Sequence, residues 1–339
     1  MTKRILVIGA GAWGCALALH AARTQAQVHL WARNPAGRLP SGAMPRLPDF
    51  PLPDSITVSD KIPSTVSATL VVVPVQHLAS VLPLLPAAPT VLCCKGVERN
   101  TLAFPLEVLS RMRPDVSGGI LSGPNFAHEI AAGLPAAAVI AAQAEQNAQA
   151  LTHLLATPLF RLYASTDCVG VQLGGAAKNV IAIAAGTAIG AGLGENARAA
   201  LITRGLAETA RLAAVLGGSA TTLAGLSGMG DLVLTCTGTA SRNYQMGLAL
   251  GRGAQTDAAL AGLPGVAEGA TTAGALLALA QKHGVSVPII ETVSDLLTQK
   301  LSLAQAQDRL LSRPLKQEYT AKVTALCWAT HCTECVCSS

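Results

Sequence analysis

Residues 4–33 constrain this chain more than any other stretch of its 339 residues. Arg4 to Ile8 (RILVI) is a short apolar run that leads straight into Gly9-Ala10-Gly11-Ala12-Trp13-Gly14. CALALHAARTQA follows with helical spacing, and VHLWAR is a second apolar run. Strand, G-x-G-x-x-G, helix and strand within about 30 residues form the dinucleotide-binding unit. Gly9 permits the tight turn, Gly11 lets the backbone approach a pyrophosphate, and Gly14 lets the helix pack closely on the strand. The pyrophosphate then rests on the helix N-terminus, where free N–H groups and the helix dipole favour anions. Trp13 serves either as core packing or as a lid on the cofactor.

The end of the second strand selects between cofactors. Sites that prefer NAD often carry an acid there for the ribose hydroxyls. Here Arg33 is followed by Asn34, with no acid before Asp49. A guanidinium suits a 2′-phosphate, so NADPH is expected to be accepted alongside NADH. Residues 34–55 are rich in Pro and Gly and read as a long irregular connection where a helix is more usual. ITVSD, TLVVVPVQ, TVLCCKG, GGILSGPN and AAAVIAA then alternate with helical segments such as HLASVLPLL and LAFPLEVLSRM. This rhythm predicts a doubly wound, mostly parallel Rossmann-type sheet. Ligands of such sheets gather beyond the carboxyl ends of the strands, which here carry Pro74-Val75-Gln76, Lys95-Gly96 and Ser122-Gly123-Pro124-Asn125.

After FRLYASTD the alternation stops and helix follows helix. The expected fold class is α/β: an N-terminal dinucleotide-binding domain over 1–168, an all-α substrate-binding domain over 169–316, and a Cys-rich tail over 317–339. Lys178 stands out in the helical half as the only charged residue between Asp167 and Glu195. Burial disfavours an ammonium and draws its pKa towards a range useful for proton transfer; the competing reading is a lysine whose head reaches water. Asp231 sits in a glycine-rich turn, LSGMGD, where capping of the following helix is the default and pairing with a buried cation the alternative. Ser241 reads as an N-cap, putting Arg242 and Asn243 at the positive end of a helix, a natural phosphate seat.

Half the residues are hydrophobic, 13% are charged and 3% are aromatic, so the core is built from Ala, Val, Leu and Ile. Glycines interrupt residues 5–22, and the apolar stretch after Lys178, read as roughly 15 residues, falls short of the ~20 that span a bilayer. No membrane span is expected. The net charge of +5 favours anionic ligands, while no basic run interleaves with aromatics, so no nucleic-acid partner is expected. Cys15, Cys93, Cys94, Cys168 and Cys236 lie in apolar segments and read as reduced core thiols of a cytoplasmic protein.

The motifs GAGAWG, CCKG, SGPNFAHE, GVQLGGAAKNVIAIAAG, ALITRGLAE, GLSGMGDLVLTCTG, SRN and GVAEG occur in this order. Together, over roughly residues 4–316, the chain resembles bacterial NAD(P)-dependent glycerol-3-phosphate dehydrogenase. The resemblance implies reduction of dihydroxyacetone phosphate to sn-glycerol 3-phosphate with NADH or NADPH, feeding glycerophospholipid synthesis in a homodimer. It implies Lys178 as proton donor and acceptor. Lys95, Gly123, Asn125, Asp231, Ser241, Arg242 and Asn243 are implied as substrate contacts. Gly9, Gly11, Ala12, Trp13, Gly14, Arg33, Lys95, Ala127, Arg242, Val266 and Glu268 are implied around the cofactor. Ala12 stands where Ser is common in the family, and Asn125 where Ser or Thr is usual. Residues 34–55 match no family motif.

Two other readings compete. Ketopantoate and β-hydroxyacid reductases need a carboxylate site, whereas Thr239 to Asn243 suits phosphate. A dinucleotide sensor without turnover has no use for a buried proton donor. Cys327, His331, Cys332, Cys335 and Cys337 crowd the C-terminus. Their C-x2-C spacing is that of metal ligands, but no metal is expected, and the tail reads as disordered and dispensable.

Overall fold

The structure is a computed structural model that describes residues 3–312 other than Pro264. Its first half alternates strands and helices: β1 (Arg4–Ile8), α1 (Ala12–Arg23), β2 (Gln27–Trp31), β3 (Ile56–Ser59), β4 (Ala68–Val71), α2 (Leu78–Val81), β5 (Thr90–Leu92), α3 (Pro105–Met112), β6 (Gly118–Ser122), α4 (Ala127–Ala132), β7 (Ala136–Ala141), α5 (Glu145–Leu155) and β8 (Phe160–Ser165). The strands form one sheet in the order β3-β2-β1-β4-β5-β6-β7-β8. Every pairing is parallel except β6 with β7. Ile5 to Ile8 are fully buried because apolar clusters cover both faces of the sheet, hence the unbroken apolar runs in the sequence. Strand order reverses around β1, and Ile8 lies opposite Trp31 on one side and Val71 on the other. The crevice beyond those strand ends is the switch point where ligands of such folds bind.

The helical segment expected in HLASVLPLL is present as α2, a single α turn flanked by 3-10 turns at Val75–His77 and Leu82–Leu84. Pro83 supplies no amide donor there and limits the helix to one turn. The 34–55 connection has a 3-10 turn at Pro35–Gly37 and an antiparallel bridge between Ala43 and Pro51.

From Cys168 every element is helical: α6 (Cys168–Gly190), α7 (Gly194–Leu216), α8 (Ala220–Ala224), a π-helical turn (Leu226–Gly230), α9 (Asp231–Thr237), α10 (Arg242–Gly251), α11 (Thr256–Ala261), α12 (Glu268–Lys282), α13 (Pro288–Leu297) and α14 (Leu303–Leu311). Asp167 starts α6 by accepting from the Gly170 amide at 2.7 Å. The apolar stretch after Lys178 is part of a longer helix: α6 is 23 residues, long and apolar enough to cross a bilayer by length and composition. Yet 89% of its most apolar window is buried within the fold. Every residue from Gly170 to Ala188 is buried, with α7, α9, α10, α12 and α13 packed around it. Such a helix is hydrophobic all round because neighbours surround it. The Cys-rich tail and its metal-ligand spacing lie outside the described residues.

Candidate functional site

The first component is the crevice at the end of β1. Gly9 has φ +112°, a backbone conformation that favours glycine, and a β-carbon on Gly14 would overlap the Gly9 carbonyl oxygen. A β-carbon on Gly11 would meet nothing within 4 Å, so that backbone faces open space. Gly11 is the N-cap of α1 and offers no side-chain cap to its first amides. An exposed helix start with uncapped amides and an open approach fits a pyrophosphate. Trp13 is partly buried and packs on the sheet core, which favours its packing reading. Arg33 is exposed just past β2.

The second component joins the two halves. Lys95, three residues beyond β5, and Lys178, on α6, each donate to one oxygen of Asp231, the first residue of α9. The Lys95–Asp231 distance is 2.5 Å. Asp231 is fully buried and Lys178 nearly so. Asp231 therefore pairs with cations and does not act as the default cap; Gly230 occupies the N-cap position. Lys178 also donates to the Thr235 hydroxyl at 2.9 Å, and Lys95 to the Gly123 carbonyl at 3.2 Å. Thr235 is four residues after Asp231 on α9, so both face α6. Desolvation lowers the Lys178 pKa to about 8; Asp231 opposes the fall and Lys95 adds to it. This lysine is held protonated at neutral pH, yet close to releasing its proton.

Glycines bring the third component near the second. A β-carbon on Gly186 of α6 would overlap the Tyr244 carbonyl of α10, and one on Gly247 would overlap the Ile183 carbonyl. The two helices thus touch backbone to backbone. That contact lets Asn243 donate to Asn179 at 3.0 Å and accept from the Gly269 amide at 2.9 Å. Ser241 caps α10 by accepting from the Tyr244 amide at 3.2 Å. Arg242 stands exposed at the start of α10, just after that cap. Glu268 begins α12. Desolvation raises its pKa to about 7, opposed by Arg242, Lys95 and Lys178, so Glu268 stands within electrostatic reach of all three cations.

The remaining residues singled out in the sequence fall around this centre. Gly123, at φ +155°, is tight against Ala138. The Asn125 amide nitrogen donates to the carbonyls of Pro124 and Ala137 at 2.7 and 3.1 Å, so its NH2 group is spent on the β6–β7 backbone. Ala127 opens α4, and Val266 is exposed in the loop before α12. Gln76 holds the Lys95 loop, donating to Val97 and accepting from the Arg99 amide. The sequence reading overlooked Thr235 and Asn179, although the i, i+4 offset from Asp231 and adjacency to Lys178 were visible. The five described cysteines form no disulfides, and burial pushes the Cys15 and Cys236 thiols up to about 12. Cys15, Cys93, Cys94 and Cys236 are buried in the core, and Cys168 is partly buried against it.

Comparison with known proteins places the whole chain in a family. Residues 4–148 match the family model for the NAD-dependent glycerol-3-phosphate dehydrogenase N-terminus, and residues 167–308 that for its C-terminus. A glycerol-3-phosphate dehydrogenase [NAD(P)+] of Gluconobacter oxydans is 56% identical over 94% of this chain and all of its own length. One from Acidiphilium cryptum is 54% identical over 92% of this chain and 97% of its own. The crystal structure of glycerol-3-phosphate dehydrogenase from Coxiella burnetii superposes with a TM-score of 0.85 at 37% identity, covering 92% of this chain and 99% of that one.

Proposed function

The chain belongs to the NAD-dependent glycerol-3-phosphate dehydrogenase family, and from that premise we propose that Lys178, Asp231 and Lys95 are its catalytic centre. The reaction is the reversible reduction of dihydroxyacetone phosphate to sn-glycerol 3-phosphate with NADH or NADPH. The observation that carries the assignment is the buried carboxylate of Asp231 shared by two lysines, one from each half.

The bound dinucleotide supplies the hydride; Gly9, Gly11 and Gly14 shape the turn that holds its pyrophosphate, and Arg33 stands at the ribose end. The Lys178 ammonium donates a hydrogen bond to the substrate carbonyl oxygen, stabilises the negative charge that grows there, and gives up its proton. A pKa near 8 suits both directions: mostly protonated at pH 7 for reduction, readily deprotonated for oxidation. Asp231 fixes both ammonium groups, and Thr235 orients Lys178. Arg242, Asn243 and the N-terminus of α10 take the phosphate. Gly123 and Asn125 line the substrate edge, and Ala12, Trp13, Ala127, Val266 and Glu268 border the cofactor. The division into a dinucleotide-binding half and a substrate half at residue 168 sets this centre between them.

The deciding experiment mixes the purified protein with dihydroxyacetone phosphate and follows loss of reduced-nicotinamide absorbance, with NADH and NADPH in parallel. Turnover with both is expected. A folded protein that binds the dinucleotides yet reduces no dihydroxyacetone phosphate would overturn the reading. The product supplies the glycerophospholipid backbone, and a cytoplasmic homodimer is the proposed working form; light scattering on the eluted protein checks the dimer.

A further inference from the structure

The Pro-rich connection after β2 has no part in the chemistry above, yet it is a built structure. Arg38 ties it together, donating to the carbonyls of Gly42 at 2.6 Å and Leu52 at 2.7 Å. Met44, Leu47 and Leu52 are buried in the core on one face of the sheet. The Leu47 amide closes a turn onto the Met44 carbonyl at 2.9 Å. Arg46 lies inside that turn, between two buried anchors, and is itself exposed. Its guanidinium reaches across to the helical half. A β-carbon on Gly265 would stand 2.8 Å from Nη1 of Arg242 and 3.5 Å from Nη1 of Arg46. Gly265 has φ +141° and no side chain, so both guanidiniums fit against the same point of the loop that precedes Glu268.

A doubly charged anion seated between two guanidiniums this close would accept hydrogen bonds from both. The first belongs to the connection that leaves β2 beside Arg33; the second starts α10, whose helix dipole also favours an anion. We propose that Arg46 is a phosphate-binding residue, which with Arg242 grips one phosphate group of the bound ligands from opposite sides of the crevice. This rests on the dehydrogenase reading above, which supplies ligands with three kinds of phosphate: that of the substrate, the pyrophosphate and the 2′-phosphate of NADPH. The Pro-rich connection then works as a rigid arm that carries a cation from the sheet half onto the helical half. Arginine is suited to this position because its planar fork takes two phosphate oxygens at once.

The test uses the full chain with Arg46→Ala and Arg46→Lys. NADH and NADPH are titrated by nicotinamide fluorescence without substrate, and the KM for dihydroxyacetone phosphate is measured at saturating cofactor. Arg46→Ala is expected to weaken at least one arm about tenfold or more, the scale of a lost charged hydrogen bond. Weakening of NADPH alone identifies the 2′-phosphate. Equal weakening of NADH and NADPH identifies the pyrophosphate, and a rise confined to the substrate KM identifies the substrate phosphate. Arg46→Lys is expected to recover part of the loss. All three constants staying within about twofold of wild type, or a loss in both variants that follows a fall in melting temperature, would overturn the proposal. A wild-type protein that binds both dinucleotides and turns over no dihydroxyacetone phosphate sinks the dehydrogenase reading, while the two titrations still judge Arg46.

Discussion

Asp231 and Glu208 are carboxylates buried in the helical half, and their partners differ in kind. Asp231 is fully buried and accepts from two lysine ammoniums and no backbone amide of its own helix start. Glu208, on α7, is 2% exposed and accepts from the amides of Ile289 at 2.9 and 3.0 Å and Ile290 at 3.3 Å. Those amides are donors that the start of α13 cannot satisfy internally, so Glu208 caps a distant helix. Partner chemistry separates the two roles. Amides have a fixed charge distribution, so a carboxylate paired with them holds structure. Ammoniums titrate, so a carboxylate paired with them shifts their pKa, which in the proposed centre tunes Lys178.

The largest test of this contrast is Lys178→Met. It leaves Asp231 paired with Lys95, so the fold is expected to persist while kcat falls about 10^3-fold, the scale of a lost general acid. Stopped-flow and melting measurements on one preparation check both halves of that expectation. A kcat within tenfold of wild type would break the assignment.

Glu208→Ala should do the reverse. Orphaning buried amides costs about 1–3 kcal/mol, read as a lower denaturant midpoint, with kcat at 25 °C unchanged. A loss of activity without loss of stability would erase the distinction between the two carboxylates.

Thr235→Val removes one acceptor from Lys178 and should cost about tenfold in kcat, the value of a single charged hydrogen bond. The smallest effect is on pH dependence. In the proposed mechanism reduction requires protonated Lys178, so its rate is expected to be level below about pH 8 and to decline above it; oxidation of glycerol 3-phosphate requires the free amine and is expected to rise to a plateau there. Losing the Thr235 acceptor disfavours the charged form, so both breaks move to lower pH in Thr235→Val. A break that stays fixed would show that another group titrates.

The sequence made the sheet half legible because its signals are local. β1 is apolar on both faces and the glycines recur at fixed spacing, so strand, turn and helix declare themselves within a few residues. Lys178 was legible for a similar reason: a lone charge in an apolar run needs an explanation. Asp231 was less so, since a carboxylate at a helix start reads as a cap wherever its partners are far away in the chain. Those partners are 53 and 136 residues distant. Glu208 carried no signal at all, because its amide partners are 81 and 82 residues away. Arg46 was lost in a Pro-rich stretch that looked like an irregular linker, and only its buried neighbours reveal it as held in place.

By itself, then, the sequence determined the dinucleotide-binding turn, the alternating elements of the first half, the helical second half and the residue types of the site. Backbone propensity and apolar period act over a few residues and are written where they act. Tertiary structure decided which charges meet: that Asp231 takes two lysines, that Glu208 caps α13, that Asn243 reaches Asn179 across a glycine crossing, and that Arg46 stands beside Arg242. Those pairings depend on how closely elements pack, and desolvation at the contact sets their strength and the Lys178 pKa, neither of which any short stretch of sequence contains.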